Sequence, residues 1–198
     1  MKKILVINGH PNKASFNSAI AQSYIYSARD NGAEVRYVAI GELNFNPNLR
    51  FGYQQRMELE PDLVQALEDI KWSEHQVWIH PIWWLGMPAI MKGFFDRAFL
   101  PGIAFKAKKG EASEGLLKGR TSRIITTAGD LIGENYEGIY QSSGLVQLQK
   151  GILEYCGVAS IDNHFIGPLQ DLDQDDRNRW LENVRDLAIV DTTDQPVL

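Results

Sequence analysis

The 198 residues carry 20 Lys and Arg against 25 Asp and Glu, a net charge of -5, and 44% of them are hydrophobic. That balance, with no dense Lys/Arg stripe, argues against a nucleic-acid-binding protein, and the length suits one domain with a sizeable core. The single cysteine, Cys156, excludes an internal disulfide framework and a multi-cysteine metal site; its apolar context reads as a small core residue.

The first apolar run, Ile4–Ile7, is short and rich in β-branched residues, which predicts a strand buried on both faces. It falls short of the roughly seven to fifteen apolar residues of a secretory signal. No stretch approaches the roughly twenty needed to span a bilayer. The expectation is a cytoplasmic protein. Residues 17–31 follow with Ile20, Tyr24 and Ala28 spaced by four and a stop at Asn31-Gly32, the pattern of a helix. Val35–Ile40 reads as a second strand. Pro47, Gly52 and Pro61 mark residues 42–61 as a long irregular excursion, and Pro61 suits the first turn of a helix over 62–71.

Gln76–Pro81 is the third predicted strand, followed by a helix over 88–99. Lys106, Lys108, Lys109, Lys118 and Arg120 flank a solvated, Gly-containing loop before a fourth strand, Ser122–Thr127. A helix over 143–156 ends at Gly157, Ser160–Ile166 is the fifth strand, and a last helix covers 174–188. Five strands alternating with helices predict a three-layer α/β sandwich, a parallel sheet with helices on both faces. Residues 1–190 form one domain in this reading and 191–198 a disordered tail.

In open parallel sheets, ligands bind beyond the carboxyl ends of the strands. Three loops lie there. Asn8-Gly9-His10-Pro11-Asn12-Lys13-Ala14-Ser15-Phe16-Asn17 joins a strand to a helix start, where free N–H groups and the positive dipole end favour a phosphate. His10, Ser15 and Asn17 add donors there. Helix capping by Ser15 or Asn17 accounts for the same residues equally well. Pro81-Ile82-Trp83-Trp84-Leu85-Gly86-Met87-Pro88 places two adjacent tryptophans after a buried strand. They suit either a flat aromatic ligand or ordinary core and dimer contacts. Thr126-Thr127-Ala128-Gly129-Asp130 offers small residues and hydroxyls, with Tyr136 and Tyr140 beyond it. The four histidines lack metal-ligand spacing, so no metal site is expected.

Together these loops resemble the NAD(P)H:quinone oxidoreductases of flavodoxin-like fold, which include the DT-diaphorases and shorter bacterial ancillary subunits of potassium-efflux systems. The most specific stretch is Pro81-x-x-Trp84-x-Gly86-x-Pro88-Ala89-x-x-Lys92-Gly93-x-x-Asp96-Arg97. Ser15-Phe16-Asn17, Asn44-Phe45-Asn46-Pro47, Thr126-Thr127-x-Gly129 and Leu153-x-x-Cys156-Gly157 occur in matching order. The resemblance implies bound FMN, or FAD as the alternative, and ping-pong hydride transfer from NAD(P)H to a quinone-type acceptor. It implies His10, Ser15, Phe16 and Asn17 at the flavin phosphate. Pro81, Ile82, Trp83, Trp84 and Leu85 would line the isoalloxazine, with Thr126, Thr127 and Gly129 at its other side.

Relatives carry a Tyr and a His after this last loop. Here Gly138-Ile139-Tyr140 stands where the family has Gly-Ile-His, and Tyr136 is an approximate match to the Tyr. Both are candidate catalytic residues. Asp176-Arg177 falls where longer relatives place an Arg near the FAD nucleotide. The resemblance further implies a homodimer with the active site at its interface. An alternative role is a flavin-binding regulatory subunit in peripheral contact with a membrane cation-efflux protein. An electron-carrying flavodoxin is a poorer match to the Pro81–Phe99 signature.

Overall fold

The computed structural model describes residues 1–193. Strand β1 (Lys3–Asn8) leads to helix α1 (Phe16–Asp30), β2 (Glu34–Ala39), α2 (Pro61–Trp72), β3 (His75–Pro81) and α3 (Ala89–Ala98). A small hairpin of β4 (Phe105–Lys106) and β5 (Glu114–Gly115) precedes β6 (Thr121–Thr127). Then come α4 (Gly133–Gly138), α5 (Ser143–Leu148), β7 (Ala159–Ile166) and α6 (Gln174–Thr192). The five long strands form one all-parallel sheet in the order β2-β1-β3-β6-β7. The order reverses between β1 and β3, the point at which such sheets open a ligand crevice.

The period-two alternation of β1 divides the core. Leu5 and Ile7 face the layer of α2 and α3, where Leu63, Leu67, Ile70, Met91, Phe94 and Phe95 pack around Trp78. Ile4 and Val6 face α1 and α6, against Ile20, Tyr24, Ala28, Val184 and Ala188. Each fully buried aliphatic side chain of this kind contributes about 1.5–3 kcal/mol through its burial. The expected three-layer sandwich is therefore what the chain adopts.

The structure differs from the sequence reading in four places. The hairpin β4–β5 and helix α4 have too few residues to show periodicity. The segment 143–156 is not one uniform α-helix: α5 passes into a π-helical stretch, Gln149–Glu154. The last helix runs four residues beyond 188, to Thr192. Asp191, assigned above to the tail, is 3% exposed. Arg123 donates to both its oxygens at 2.7 Å, Tyr24 Oη donates at 2.8 Å, and His75 Nε2 lies 3.3 Å away. Residues 194–198 of that tail lie outside the described residues.

The irregular excursion between β2 and α2 is fastened to α3. Arg97, 1% exposed, holds Glu60 through both oxygens, at 2.8 and 3.1 Å, and donates to the carbonyls of Asn46 and Glu58. A Cβ on Gly93 would lie 2.4 Å from Pro47, so only glycine admits the excursion at that distance. Gly93 and Arg97 of the signature thus clamp the excursion, while Lys92 and Asp96 pair with each other along α3 at 2.6 Å.

Candidate functional site

The three loops singled out above meet at the carboxyl ends of β1, β3 and β6. Ser15 is the N-cap of α1: its side chain accepts from the Ser18 N–H at 3.2 Å. The capping explanation of Ser15 is therefore correct, and it is compatible with an anion site. The N–H groups of Phe16 and Asn17 donate to no acceptor among the described residues, which leaves the start of a fifteen-residue helix with free donors. Asn17 is buried. Its Oδ1 accepts from Thr127 Oγ1 at 3.0 Å, and its Nδ2 has no partner. One amide thus ties the first loop to the third and keeps an unused donor, an omission that costs about 1–3 kcal/mol unless a ligand supplies an acceptor.

His10 connects the first loop to the second. Its Nδ1 accepts from the Asn12 N–H at 2.9 Å, so the neutral ring carries its proton on Nε2. The ring meets Trp83 edge-on at 5.5 Å, and partial burial lowers its pKa. Phe16 lies under the Arg177 guanidinium, 5.2 Å from the ring centroid. Arg177 also donates to the Leu169 carbonyl at 2.8 Å, which brings its charge to the same end of the sheet.

The second loop turns back on itself. Trp83 and Gly86 exchange backbone hydrogen bonds of 2.8 and 3.0 Å, with Trp84 and Leu85 between them at φ values of 51° and 63°. Positive φ at both central residues is the pattern of a primed turn, which favours Asn and Gly. Two bulky residues there cost about 1–3 kcal/mol each. Trp84 is fully exposed, Pro81 and Ile82 are buried beneath it, and the Trp84 and Leu85 N–H groups have no acceptor among the described residues.

Ile82, Trp84, Leu85, Asp130, Leu131, Ile132, Asn135 and Tyr140 enclose a cleft of about 510 Å³. That is within the usual range for small-molecule sites. Tyr140, 41% exposed, is part of its wall. Tyr136 is not: it is 3% exposed, stacked on Phe165 at 5.6 Å, and burial raises its pKa. Thr126 and Thr127 are buried, Thr126 donating to the His164 carbonyl at 3.3 Å, while Gly129 is exposed at the mouth of the loop. Among the described residues no cluster suits a metal ion.

The sequence reading missed His80. It lies wholly buried at the end of β3, with Nδ1–H donating to the Pro81 carbonyl at 2.9 Å and Nε2 unpartnered. Burial lowers its pKa to about 4. The unfolded chain takes up the proton near pH 6.5. The native state therefore loses stability as pH falls from 6.5 toward 4, by about 3 kcal/mol in all. His80→Phe is expected to abolish that part of the acid destabilisation in urea titrations; an identical pH dependence would mean that His80 does not titrate in this window.

A family model described as "Flavodoxin-like fold" matches residues 2–187. The chain is also 31% identical over 182 residues to an uncharacterized NAD(P)H oxidoreductase of Haemophilus influenzae, the match covering 90% of each chain. This chain belongs to the flavodoxin-like NAD(P)H:quinone oxidoreductase family. Another relative is the NAD(P)H dehydrogenase (quinone) 1 of Rattus norvegicus, 22% identical over 92% of this chain and 74% of that one. Among solved structures, Smu.1420 from Streptococcus mutans UA159 superposes with a TM-score of 0.79 at 30% identity, over 96% of this chain and all of its own. As a member of this family the protein is an oxidoreductase, and the three loops lie at the carboxyl ends of the strands, the side on which open parallel sheets bind ligands.

Proposed function

We propose that this oxidoreductase binds FMN and uses NAD(P)H to reduce quinones or similar planar acceptors in the cleft beside Trp84 and Tyr140. The observation that carries the reading is the set of unused donors around one crevice: the Phe16 and Asn17 N–H groups, Asn17 Nδ2, and the Trp84 and Leu85 N–H groups. The first three, with His10 Nε2–H and the nearby Arg177, suit a phosphate.

The flavin, when bound, carries the hydride from NAD(P)H to the acceptor in two successive half-reactions. The protein's part is to hold and to polarise. The Trp84 and Leu85 N–H groups are preorganised donors for negative charge on a ring seated against them. Trp84 supplies an aromatic face for a flat molecule. Tyr140 Oη supplies a hydroxyl proton donor at the cleft wall, at the position where the family resemblance implies a histidine.

Trp83, Trp84, Ile132 and Ile139 stand 46–101% exposed around this cleft. A soluble chain seldom leaves so much apolar surface uncovered, and a second copy of the chain covering it would complete the site as a homodimer.

Tyr140→Phe tests the proton-donor role. Loss of one hydrogen bond to developing charge is expected to slow quinone reduction by roughly tenfold, with FMN affinity unchanged. Equal steady-state rates would remove the hydroxyl from the reaction. No NAD(P)H-driven quinone reduction in the FMN-reconstituted wild type would overturn the function itself.

A further inference from the structure

All four non-glycine residues at positive φ among the described residues fall in two turns, Trp84-Leu85 and Gln141-Ser142, at values of 48–63°. Strained backbone persists only where its surroundings over-determine it. The two turns touch. A Cβ on Gly144 would lie 2.3 Å from the Leu85 carbonyl oxygen and 3.0 Å from Gly86 Cα, so glycine alone permits this approach. Ser143 Oγ adds a long contact to the same carbonyl at 3.5 Å.

Tyr136 stands behind this junction. The N-cap of α5 is Ser142, which sits in the left-handed region and makes no side-chain cap bond. The role falls to Tyr136, whose hydroxyl oxygen accepts from the Leu145 N–H at 2.9 Å, in the first turn of α5. The same oxygen lies 3.0 Å from the position a Gly144 Cβ would occupy. Its ring is fixed by stacking on Phe165, and the Ser142 N–H closes onto the Tyr136 carbonyl at 2.8 Å.

We infer that Tyr136 and Gly144 are positioning residues. Tyr136 caps α5 from a distance, α5 seats Gly144 against the Leu85 carbonyl, and this contact holds the Trp84-Leu85 turn in its strained form. Tyr140, at the other end of the Gln141-Ser142 turn, is thereby set across the cleft from Trp84. Tyr136, the approximate match to the family's Tyr, thus acts through the backbone, without touching the substrate. The inference rests on the proposed role of the cleft for its catalytic consequence only.

Two variants test it. Tyr136→Phe keeps the stacked ring and removes the hydroxyl; Gly144→Ala puts a methyl against Leu85. In ligand-free protein, hydrogen exchange of the Trp83 and Gly86 amides is expected to quicken roughly fivefold in Tyr136→Phe, as expected for one lost hydrogen bond. Amides of β1 and β3 are expected to keep their wild-type rates. In the reconstituted enzyme, KM for a small soluble quinone rises while the pH profile of kcat stays as in wild type.

Unchanged exchange at Trp83 and Gly86 in Tyr136→Phe would overturn the inference. So would a changed kcat pH profile, which would make Tyr136 a proton donor. Should Gly144→Ala not fold, Tyr136→Phe decides alone. Quickened exchange in a wild type that reduces no quinone would refute the proposed function and leave the positioning role standing.

Discussion

Asp191→Ala is expected to lower the unfolding free energy by about 3–5 kcal/mol, the usual cost of removing one partner from a buried ion pair. Arg123, itself 3% exposed, would keep only the half-exposed Asp162 at 2.8 Å and His164 Nε2 at 2.7 Å, and the Tyr24 hydroxyl would lose its acceptor. The contacts reach across the fold, because Tyr24 lies on α1, His75 on β3, Arg123 on β6 and Asp191 near the end of α6. Burial alone would raise the Asp191 carboxyl, but the hydrogen bonds from Arg123, with His75 alongside, outweigh it and hold the pKa well below the ordinary carboxylate range. The contribution is therefore complete above the unfolded value near 4 and fades only as pH falls below it. Urea midpoints at pH 7 measure the loss, and truncation after Val190 is expected to match it. A midpoint within experimental error of wild type would show that the network contributes nothing net.

Arg97→Ala is expected to cost about 3 kcal/mol by leaving the Glu60 carboxylate and the Asn46 and Glu58 carbonyls without their donor. The loss is local to the excursion between β2 and α2. Faster proteolysis within residues 44–60 should accompany the lowered urea midpoint. Arg97→Lys should recover little, because an ammonium cannot reproduce the two-pronged contact with Glu60. Resistance of that segment to protease in Arg97→Ala would mean that Gly93 and Pro47 suffice to hold it.

The sheet was legible because buried parallel strands leave short β-branched runs, as in Ile4–Ile7 and Ser122–Thr127, and because Gly157 and Asn31-Gly32 punctuate the helices. The three candidate loops followed from the strand ends. What periodicity did not show were contacts between residues distant in the chain: Arg97 with Glu60, Arg123 with Asp191, Asn17 with Thr127. Asp191 looked like tail because the apolar pattern of α6 weakens there, yet its charge faces inward to Arg123. Tyr136 and Tyr140 look equivalent at a spacing of four, but α4 ends at Gly138, so one ring turns into the core and the other lines the cleft. His80 gave no signal, since a buried histidine and a strand residue look alike in sequence.

The most direct test of the central claim is the absorbance spectrum of the FMN-reconstituted protein, freed of excess flavin and titrated anaerobically with NADPH and with NADH. The account predicts retained blue-light flavin absorption that bleaches with a pyridine nucleotide and returns when a quinone is added. Protein that emerges colourless would contradict the assignment of the three loops to a flavin, and retained colour that no pyridine nucleotide bleaches would contradict the proposed reaction.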